Sequence, residues 1–486
     1  MSVEIKNLDP ASLWEIFYEL TQIPRPSKME HRAVIFAKEF GERLELKTYV
    51  DKTGNVIISK PASPGYEDRK GVILQAHLDM VPQKNSDTDH DFENDPIDAY
   101  IEGDWVKARG TTLGSDNGIG IAAALAVLQD KHLKHGPIEV LLTVDEETGM
   151  TGAFQLERGI LEGKILLNLD SEDEGELYIG CAGGMDTSGK LHYLDEPVRA
   201  DTIALKLAIT GLKGGHSGLD IHLGRGNANV LMNRFMFDMA DELDLRLAGM
   251  EGGSLRNAIP REAFAVVTVP AEKKDDLLAA VNEYEAVYRA ELGSVEPDLS
   301  FKASGVESPL TIMDKASQDK LVRLVCGMPN GVIRMDPEMP GVTETSTNLA
   351  IVKAGDGEIE VGCLLRSSVD SAKLGLGISL QSVLELAGAE VTHSGSYPGW
   401  KPDVDSPILA TMRSVYERDF GKIPDVKVIH AGLECGIIGD AYPGLDMISF
   451  GPTIRFPHSP DEKVHIESVR KFWDFLVKTL EEIPVS

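Results

Sequence analysis

The sequence predicts an α/β protein in which a discontinuous domain, built on a mostly parallel sheet with helices on both faces, is interrupted by an inserted α+β domain. Three observations predict it. Short runs rich in β-branched residues, Val72 to Leu74, Val140 to Val144, Ile165 to Leu169 and Met447 to Phe450, are each followed at once by polar residues, and continuous apolar strands belong to sheets covered on both faces. The alanine-rich stretch IGIAAALAVLQD directly follows the turn GTTLGSDNG, a strand, turn and helix order. After Cys181-Ala182-Gly183-Gly184 the pattern changes to alternating strands such as IALKLAIT and FAVVTVPA. With 486 residues the chain exceeds the size at which one core stops growing. The expected division is 1–183 and 398–486 for the first domain and 184–397 for the insertion.

The elements follow in order. Asp9 and Pro10 read as an N-cap with proline at the first helical position, ahead of Leu13, Ile16, Phe17 and Leu20 at helical spacing. Ser27 and Glu30 form a capping-box pattern before Ala33, Phe36, Ala37 and Phe40, giving a second helix that ends near Gly41. The apolar runs then deliver Gln75-Ala76-His77-Leu78-Asp79, Asp145-Glu146-Glu147, Asp170 and, through Gly451-Pro452, His458. Ligands of open α/β sheets collect at the carboxyl ends of strands, so one sheet edge should carry all four groups. Within the insertion, AVVTVPAEKKDDLLAAVNEYEA and EVGCLLRSSVDSAKLGLGISLQSVLELA both read as strand, turn and helix, a faint internal echo. GSYPGW, residues 395–400, reads as the return linker, after which SPILATMRSVYERDF resumes a helical pattern.

Composition narrows the function classes. Hydrophobic residues make up 42% and charged residues 26%, which places the chain among folded globular proteins. The 78 acidic against 48 basic residues leave a formal charge of -30, which disfavours nucleic acid and anionic membranes because both require clustered cations. The four cysteines, Cys181, Cys326, Cys363 and Cys435, form no CxxC pair, so neither a thiolate zinc site nor a disulfide framework is indicated and a reducing cytoplasm fits. The opening MSVEIKNLDP has no leader pattern and no stretch reaches the length of a membrane span, so neither export nor embedding is expected.

The polar residues at the strand ends carry metal and acid–base chemistry. His77 and Asp79, two apart, project from one face, and a metal-bound imidazole commonly gives its other N–H to a carboxylate such as Asp79. Asp116 sits in a turn before a helix, where an N-cap is its ordinary use and a carboxylate bridging two cations is the alternative. Glu146 and Glu147 are adjacent acids whose repulsion calls for a cation or a proton; one could bind metal while the other takes a proton from water. An exposed acidic loop is the plainer reading. Asp170 opens DSEDEGE, largely a solvated face, and His458 lies between the prolines of FPHSPDE, where an ordinary loop histidine is the simpler reading.

In this order, HxD, GSDNG, a Glu pair, a strand-end Asp and PHSPDE, the sequence resembles peptidase family M20, nearest to its bacterial branch acting on aminoacyl-histidine dipeptides. The likeness runs through QAHLDMVPQKN, ARGTTLGSDNGIG, GLKGGHSG, LRNAIPREAFA, HAGLECG and GPTIRFPHSPDE and so spans essentially the whole chain. The resemblance implies a metallopeptidase domain and a lid whose closure completes the site. It implies that His77, Asp116 and Asp170 bind one zinc ion and Asp116, Glu147 and His458 a second, with Asp116 bridging, Asp79 orienting His77, Glu146 as general base on a metal-bridging water, and a cis peptide at Asp116-Asn117. Cobalt or manganese could replace zinc. It implies further that His216 stabilises the tetrahedral oxyanion and that Asn257, Arg366 and Gly432 grip the substrate's free carboxylate. Arginine suits such a clamp because its fork matches a carboxylate.

The expected activity is therefore hydrolysis of Xaa-His dipeptides, β-alanyl-histidine included, within a broader range of unblocked dipeptides. A cytoplasmic enzyme, a homodimer by the resemblance, is expected to meet small dipeptides and neither nucleic acid nor membrane. The alternatives are an N-acyl amino acid deacylase using the same two-metal chemistry and a metal- or peptide-binding protein without turnover.

Overall fold

The structure is a computed structural model and describes residues 3–485. Its first helix, α1 (Ala11–Thr21), buries Leu13, Trp14, Ile16, Phe17 and Leu20. It begins one residue later than the sequence suggests: Pro10 holds the capping position, the Asp9-Pro10 peptide is cis, and the Asp9 carbonyl accepts instead from Trp14 Nε1 at 3.3 Å. The second helix, α2 (His31–Arg43), buries Ala33, Ala37 and Phe40 but has no side-chain cap. Its expected capping pair is engaged elsewhere: Ser27 Oγ donates to Asp79 Oδ2 at 2.8 Å, and Glu30 Oε1 accepts from the Asp145 amide at 2.7 Å.

Two compact units divide the chain: Met1–Gly180 with Pro402–Val428 and Leu433–Ser486, and Cys181–Lys401 with Ile429–Gly432. The first is built on eight strands, β1 (Lys47–Val50), β2 (Val56–Lys60), β3 (Val72–His77), β4 (Ile138–Thr143), β5 (Ile165–Asn168), β6 (Glu176–Cys181), β7 (Asp425–Ile429) and β8 (Asp446–Ser449), in the order β1-β2-β4-β3-β5-β8-β6-β7. The central four, β4-β3-β5-β8, are parallel. Antiparallel pairs flank them, β1 with β2, β2 with β4 and β8 with β6. The link from β1 to β2 is too short for the crossover that a parallel pair requires. Every residue of β3, β4 and β5 is buried, so the centre of the sheet is covered on both faces.

Register explains why chemistry gathers at one edge. His77 lies level with Thr143, and Asn168 with both Gln75 and Ser449. The parallel strands consequently end together, and the residues that follow them emerge side by side. The helix after the glycine-rich turn, α3 (Ser115–Gln129), is buried from Ser115 to Leu128 and packs against β3 and α1. No described helix is long and apolar enough to cross a membrane.

The second unit is α+β. Its nine-stranded sheet runs Ser300–Gly305, Thr202–Thr210, Ala263–Pro270, Arg246–Gly252, Thr343–Gly355, Glu358–Ser367, Gly183–His192 and Glu390–Tyr397, with Gly331–Met335 paired to Thr343–Gly355. All of these pairings are antiparallel. Helices Ala228–Met239, Lys274–Leu292, Lys315–Gly327 and Asp370–Leu386 complete it, over a core that includes Leu207, Phe235, Tyr288, Phe301 and Leu380. The two segments of the internal echo are Ala263–Pro270 followed by Lys274–Leu292, and Glu358–Ser367 followed by Asp370–Leu386. GSYPGW is only partly a linker, because Gly395 to Tyr397 complete an edge strand.

Candidate metal centre

His77, at the end of β3, is 1% exposed. Its Nε2 lies 3.1 Å from Asp116 Oδ1 and 3.2 Å from Asp170 Oδ1, and its Nδ1 lies 3.3 Å from Asp79 Oδ1. His458 Nε2 lies 3.3 Å from Asp116 Oδ2 and 2.9 Å from Glu147 Oε2. Ligand atoms thus gather in three overlapping groups, each within 4.8 Å: His77, Asp116 and Asp170; Asp116, Glu147 and His458; and His77, Glu146 and Glu147. The peptide between Asp116 and Asn117 is cis.

Local structure aims these groups. Asp79 is fully buried and accepts from the amides of Glu146 at 2.9 Å and Glu147 at 3.2 Å as well as from Ser27. A single carboxylate therefore faces the His77 ring and fixes the turn that carries both glutamates. That turn starts at Asp145, which is left-handed at φ 54, a conformation aspartate tolerates better than most residues. Hydroxyls of Thr148 and Thr151 donate to the Asp145 carboxylate and hold it there.

Electrostatics are dominated by burial and by crowded carboxylates. Burial opposes the ionisation of Asp79, but hydrogen bonds from His77, the Glu146 amide and Ser27 hold it well below the usual range. Asp116 is held low in the same way, its burial outweighed by His458 and His77. Asp170 is pushed up to about 6 by burial, with Asp116 and Glu147 adding to it against His77. Glu146 is raised well above the ordinary value by burial, then by Asp170, Glu434 and Glu147, in opposition to His77. Contacts with Asp116 and Glu147 push His458 up to about 11.

These residues fit a site for divalent cations. Among the described residues the buried Glu147 Oε1 receives no hydrogen bond, and the buried Asp170 Oδ1 has at most a share of His77 Nε2 at 3.2 Å, which also faces Asp116, an expensive arrangement unless a cation takes the place of the missing donors. Mixed imidazole and carboxylate donors suit zinc and other first-row divalent ions.

A residue the sequence reading missed lies beneath them. Glu434, 1% exposed, accepts from Gln75 Nε2 and Thr143 Oγ1, both at 2.7 Å, and is pushed up to about 7 chiefly by burial. Gln75 in turn accepts from Asn168 at 2.5 Å, and Asn168 from Ser449 at 2.5 Å. A buried polar row thereby crosses β4, β3, β5 and β8 just below the strand ends.

The remaining candidates lie in the second unit. Arg366 is 5% exposed and donates to Ser217 Oγ at 3.3 Å and Tyr397 Oη at 3.1 Å, with His216 Nε2 3.5 Å from its Nη2. Among the described residues no carboxylate forms an ion pair with it. His216 Nδ1 accepts from the amides of Gly218 and Leu219, which leaves the proton on Nε2, beside the guanidinium. Burial and the charge of Arg366 keep His216 below its ordinary value. Gly432 is placed so that a Cβ would stand 3.0 Å from the Tyr397 ring. Asn257 is exposed and joins through its backbone, its carbonyl accepting from the Ser217 amide at 2.8 Å. Tyr397, Ser217 and His430 were not anticipated. His430, in the HAGLECG segment, meets Ser346 Oγ at 2.7 Å through Nε2, while its buried Nδ1 has no partner among the described residues.

Known proteins were compared with this geometry. The sequence pattern of peptidase family M20/M25/M40 matches residues 73–482. Over 485 residues, 99% of both chains, the sequence is 51% identical to the cytosol non-specific dipeptidase of Escherichia coli. The crystal structure of aminoacylhistidine dipeptidase from Vibrio alginolyticus superposes with a TM-score of 0.96 at 53% identity, covering 99% of each chain. Aminopeptidase PepT from Bacillus cereus, 17% identical with a TM-score of 0.57 over 98% of this chain and 99% of its own, shares the fold.

Proposed function

The chain belongs to peptidase family M20/M25/M40, and from that premise we propose that it is a two-metal dipeptidase of the cytoplasm that cleaves Xaa-His dipeptides, β-alanyl-histidine among them, within a wider set of unblocked dipeptides. It is a peptide hydrolase, and its full-length likeness to two dipeptidases supports dipeptides as the substrate class. The observation that carries the reading is the convergence of His77, Asp116, Asp170, Glu147 and His458, from five separate segments of the chain, into overlapping groups whose ligand atoms lie within 4.8 Å of one another.

In this proposal His77, Asp116 and Asp170 hold one zinc ion, and Asp116, Glu147 and His458 the other, with cobalt or manganese able to replace them. When bound there, such cations would supply Lewis acidity to polarise the scissile carbonyl and make water more acidic at neutral pH. Asp79 holds His77 in the orientation that presents Nε2. Glu146 takes a proton from the attacking water on a carboxylate oxygen and hands it to the leaving amine. Burial and the facing carboxylates raise its proton affinity, as a group that must both accept and return a proton requires. In the second unit His216, with its proton on Nε2, offers a donor for the oxyanion. Arg366, supported by Tyr397 and with Gly432 and Asn257 nearby, receives the substrate carboxylate. A homodimer completes the proposal.

A substrate panel on zinc-reconstituted protein tests it, with chelated protein as control. Expected is turnover of β-alanyl-histidine and other unblocked dipeptides, little turnover of N-acetyl amino acids, and none after chelation. Preference for N-acetyl amino acids would make the enzyme a deacylase, and metal uptake without turnover of any amide would leave a binding protein.

A further inference from the structure

Two buried side chains outside the ligand groups converge on the loops that carry them. Glu462, four residues after His458 and 2% exposed, accepts hydrogen bonds from four successive amides: Leu113 at 2.7 Å and Gly114 at 3.0 Å on Oε2, and Ser115 at 2.7 Å and Asp116 at 3.2 Å on Oε1. The Ser115 hydroxyl adds a fifth at 2.6 Å. Arg25, 3% exposed, donates from Nη2 to the Gly114 carbonyl at 2.5 Å and from Nη1 to the carbonyls of Leu78 at 3.0 Å and Asp79 at 2.8 Å. The loop before Asp116 is thus gripped by both polarities of its backbone, the amides by one charge and a carbonyl by the other. Hydrogen bonds to charged groups are the stronger class, and in a water-free interior they fix geometry.

The glycines of GSDNG make room for this grip. Gly114 is left-handed at φ 70, and a Cβ there would stand 2.7 Å from Arg25 Nη2 and 2.8 Å from Met80 Sδ. At Gly118 a Cβ would stand 2.9 Å from the same Nη2 and 3.0 Å from the Phe17 ring. Both glycines flank Asp116, so the motif reads as a carboxylate with clearance on each side for an arginine drawn from the segment after α1.

We propose that Arg25 and Glu462 are positioning residues that lock three ligand loops, 77–79, 113–116 and 458–462, into one frame around the shared carboxylate Asp116. The inference rests on the metal-centre reading above. Asp116 belongs to two of the three groups, those proposed to hold the two ions, so loosening its loop should weaken both ions together, whereas removing Glu147 or Asp170 should weaken one. Partners of this kind typically carry roughly ten- to hundredfold in metal affinity.

Zinc titration of chelator-stripped full-length protein, against a chromophoric competitor, tests the proposal in the wild type, Glu462→Gln, Arg25→Lys and Ser115→Ala. In Glu462→Gln the new amide must turn an N–H toward the backbone amides, and in Arg25→Lys the fork that spans two loops is lost. Expected is a loss of roughly ten- to hundredfold for both zinc equivalents in these two variants, with metal-free melting close to wild type. Ser115→Ala, which removes one bond and keeps both charges, should show a smaller loss of the same kind. Unchanged zinc affinity with lowered metal-free melting would overturn the proposal and leave a purely structural role. Should the two charge variants fail to fold, unchanged affinity in Ser115→Ala overturns it alone. A wild type that takes up no zinc defeats the metal-centre reading instead, which separates the two failures.

Discussion

The clusters in the two units are electrostatic opposites. In the first, Asp116, Asp170, Glu146 and Glu147 crowd around two imidazoles, and among the described residues the buried Glu147 Oε1 has no donor. In the second, a buried guanidinium sits among neutral hydroxyls and imidazoles, without a carboxylate in ion-pair contact among the described residues. Burying a charge without its opposite is costly, and proteins retain such groups where an outside partner supplies the missing sign. The difference is the one the proposed partners require: a cation for the first cluster and an anionic group for the second. A free dipeptide carries that anion at its C-terminus.

The largest effect expected from a single side chain distinguishes a base from a ligand within the acidic cluster. Glu146 is grouped with His77 and Glu147 at ligand distance, so geometry alone allows either role. Glu146→Gln keeps the shape and removes the ability to take a proton. If Glu146 is the base, kcat falls by ~10² to 10⁴ while zinc content stays at two equivalents. Loss of one equivalent would make it a ligand, and an unaltered kcat would move the base elsewhere.

A smaller effect is expected in the cationic cluster, and it should appear in binding. Arg366→Ala removes the buried guanidinium, and about 2 kcal/mol of carboxylate recognition corresponds to a roughly thirtyfold rise in KM. The sharper readout compares a dipeptide with its C-terminal amide. Wild type should prefer the free acid, and the variant should lose that preference while retaining zinc. An intact preference would place carboxylate recognition on other residues.

The same contrast shows what the sequence could reveal. Most residues of the acidic cluster were legible because they follow apolar runs that become central strands, as with His77 after β3 and Asp170 after β5. Parallel register then brings together residues far apart in the chain. Ser27 and Glu30 misled because a capping box and a pair of second-layer hydrogen-bonding groups share residue types; the structure assigns them to Asp79 and the Asp145 amide. Tyr397 lay hidden in a stretch read as a linker, since only the edge-strand pairing of Glu390–Tyr397 brings it to Arg366. Nor does spacing reveal that Ile429–Gly432 returns to the second unit. Glu462 closes the PHSPDE motif, but it and Arg25 act on backbone amides and carbonyls, a role that no spacing of side chains points to.

The cationic cluster should also leave a signature in stability, smaller per step than the effects on catalysis. His430 is pushed down to about 3, first by burial and then by Arg366, with His216 and His222 adding to it. In the unfolded chain a histidine titrates near 6.5. Between those values the unfolded state binds the proton and the folded state does not, so stability rises with pH across this window and is lost as pH falls below about 6.5. One such group accounts for at most about 1.4 kcal/mol per pH unit. His430→Asn removes the titration and leaves an amide able to face Ser346, so its melting temperature should fall less steeply than wild type between pH 6.5 and 4.5, even if it starts lower at pH 8. Parallel curves would mean that His430 takes up its proton in the folded state at an ordinary pKa. Neither burial nor the neighbouring guanidinium would then hold the proton off this imidazole, and the cationic character drawn for the second cluster would lose this support.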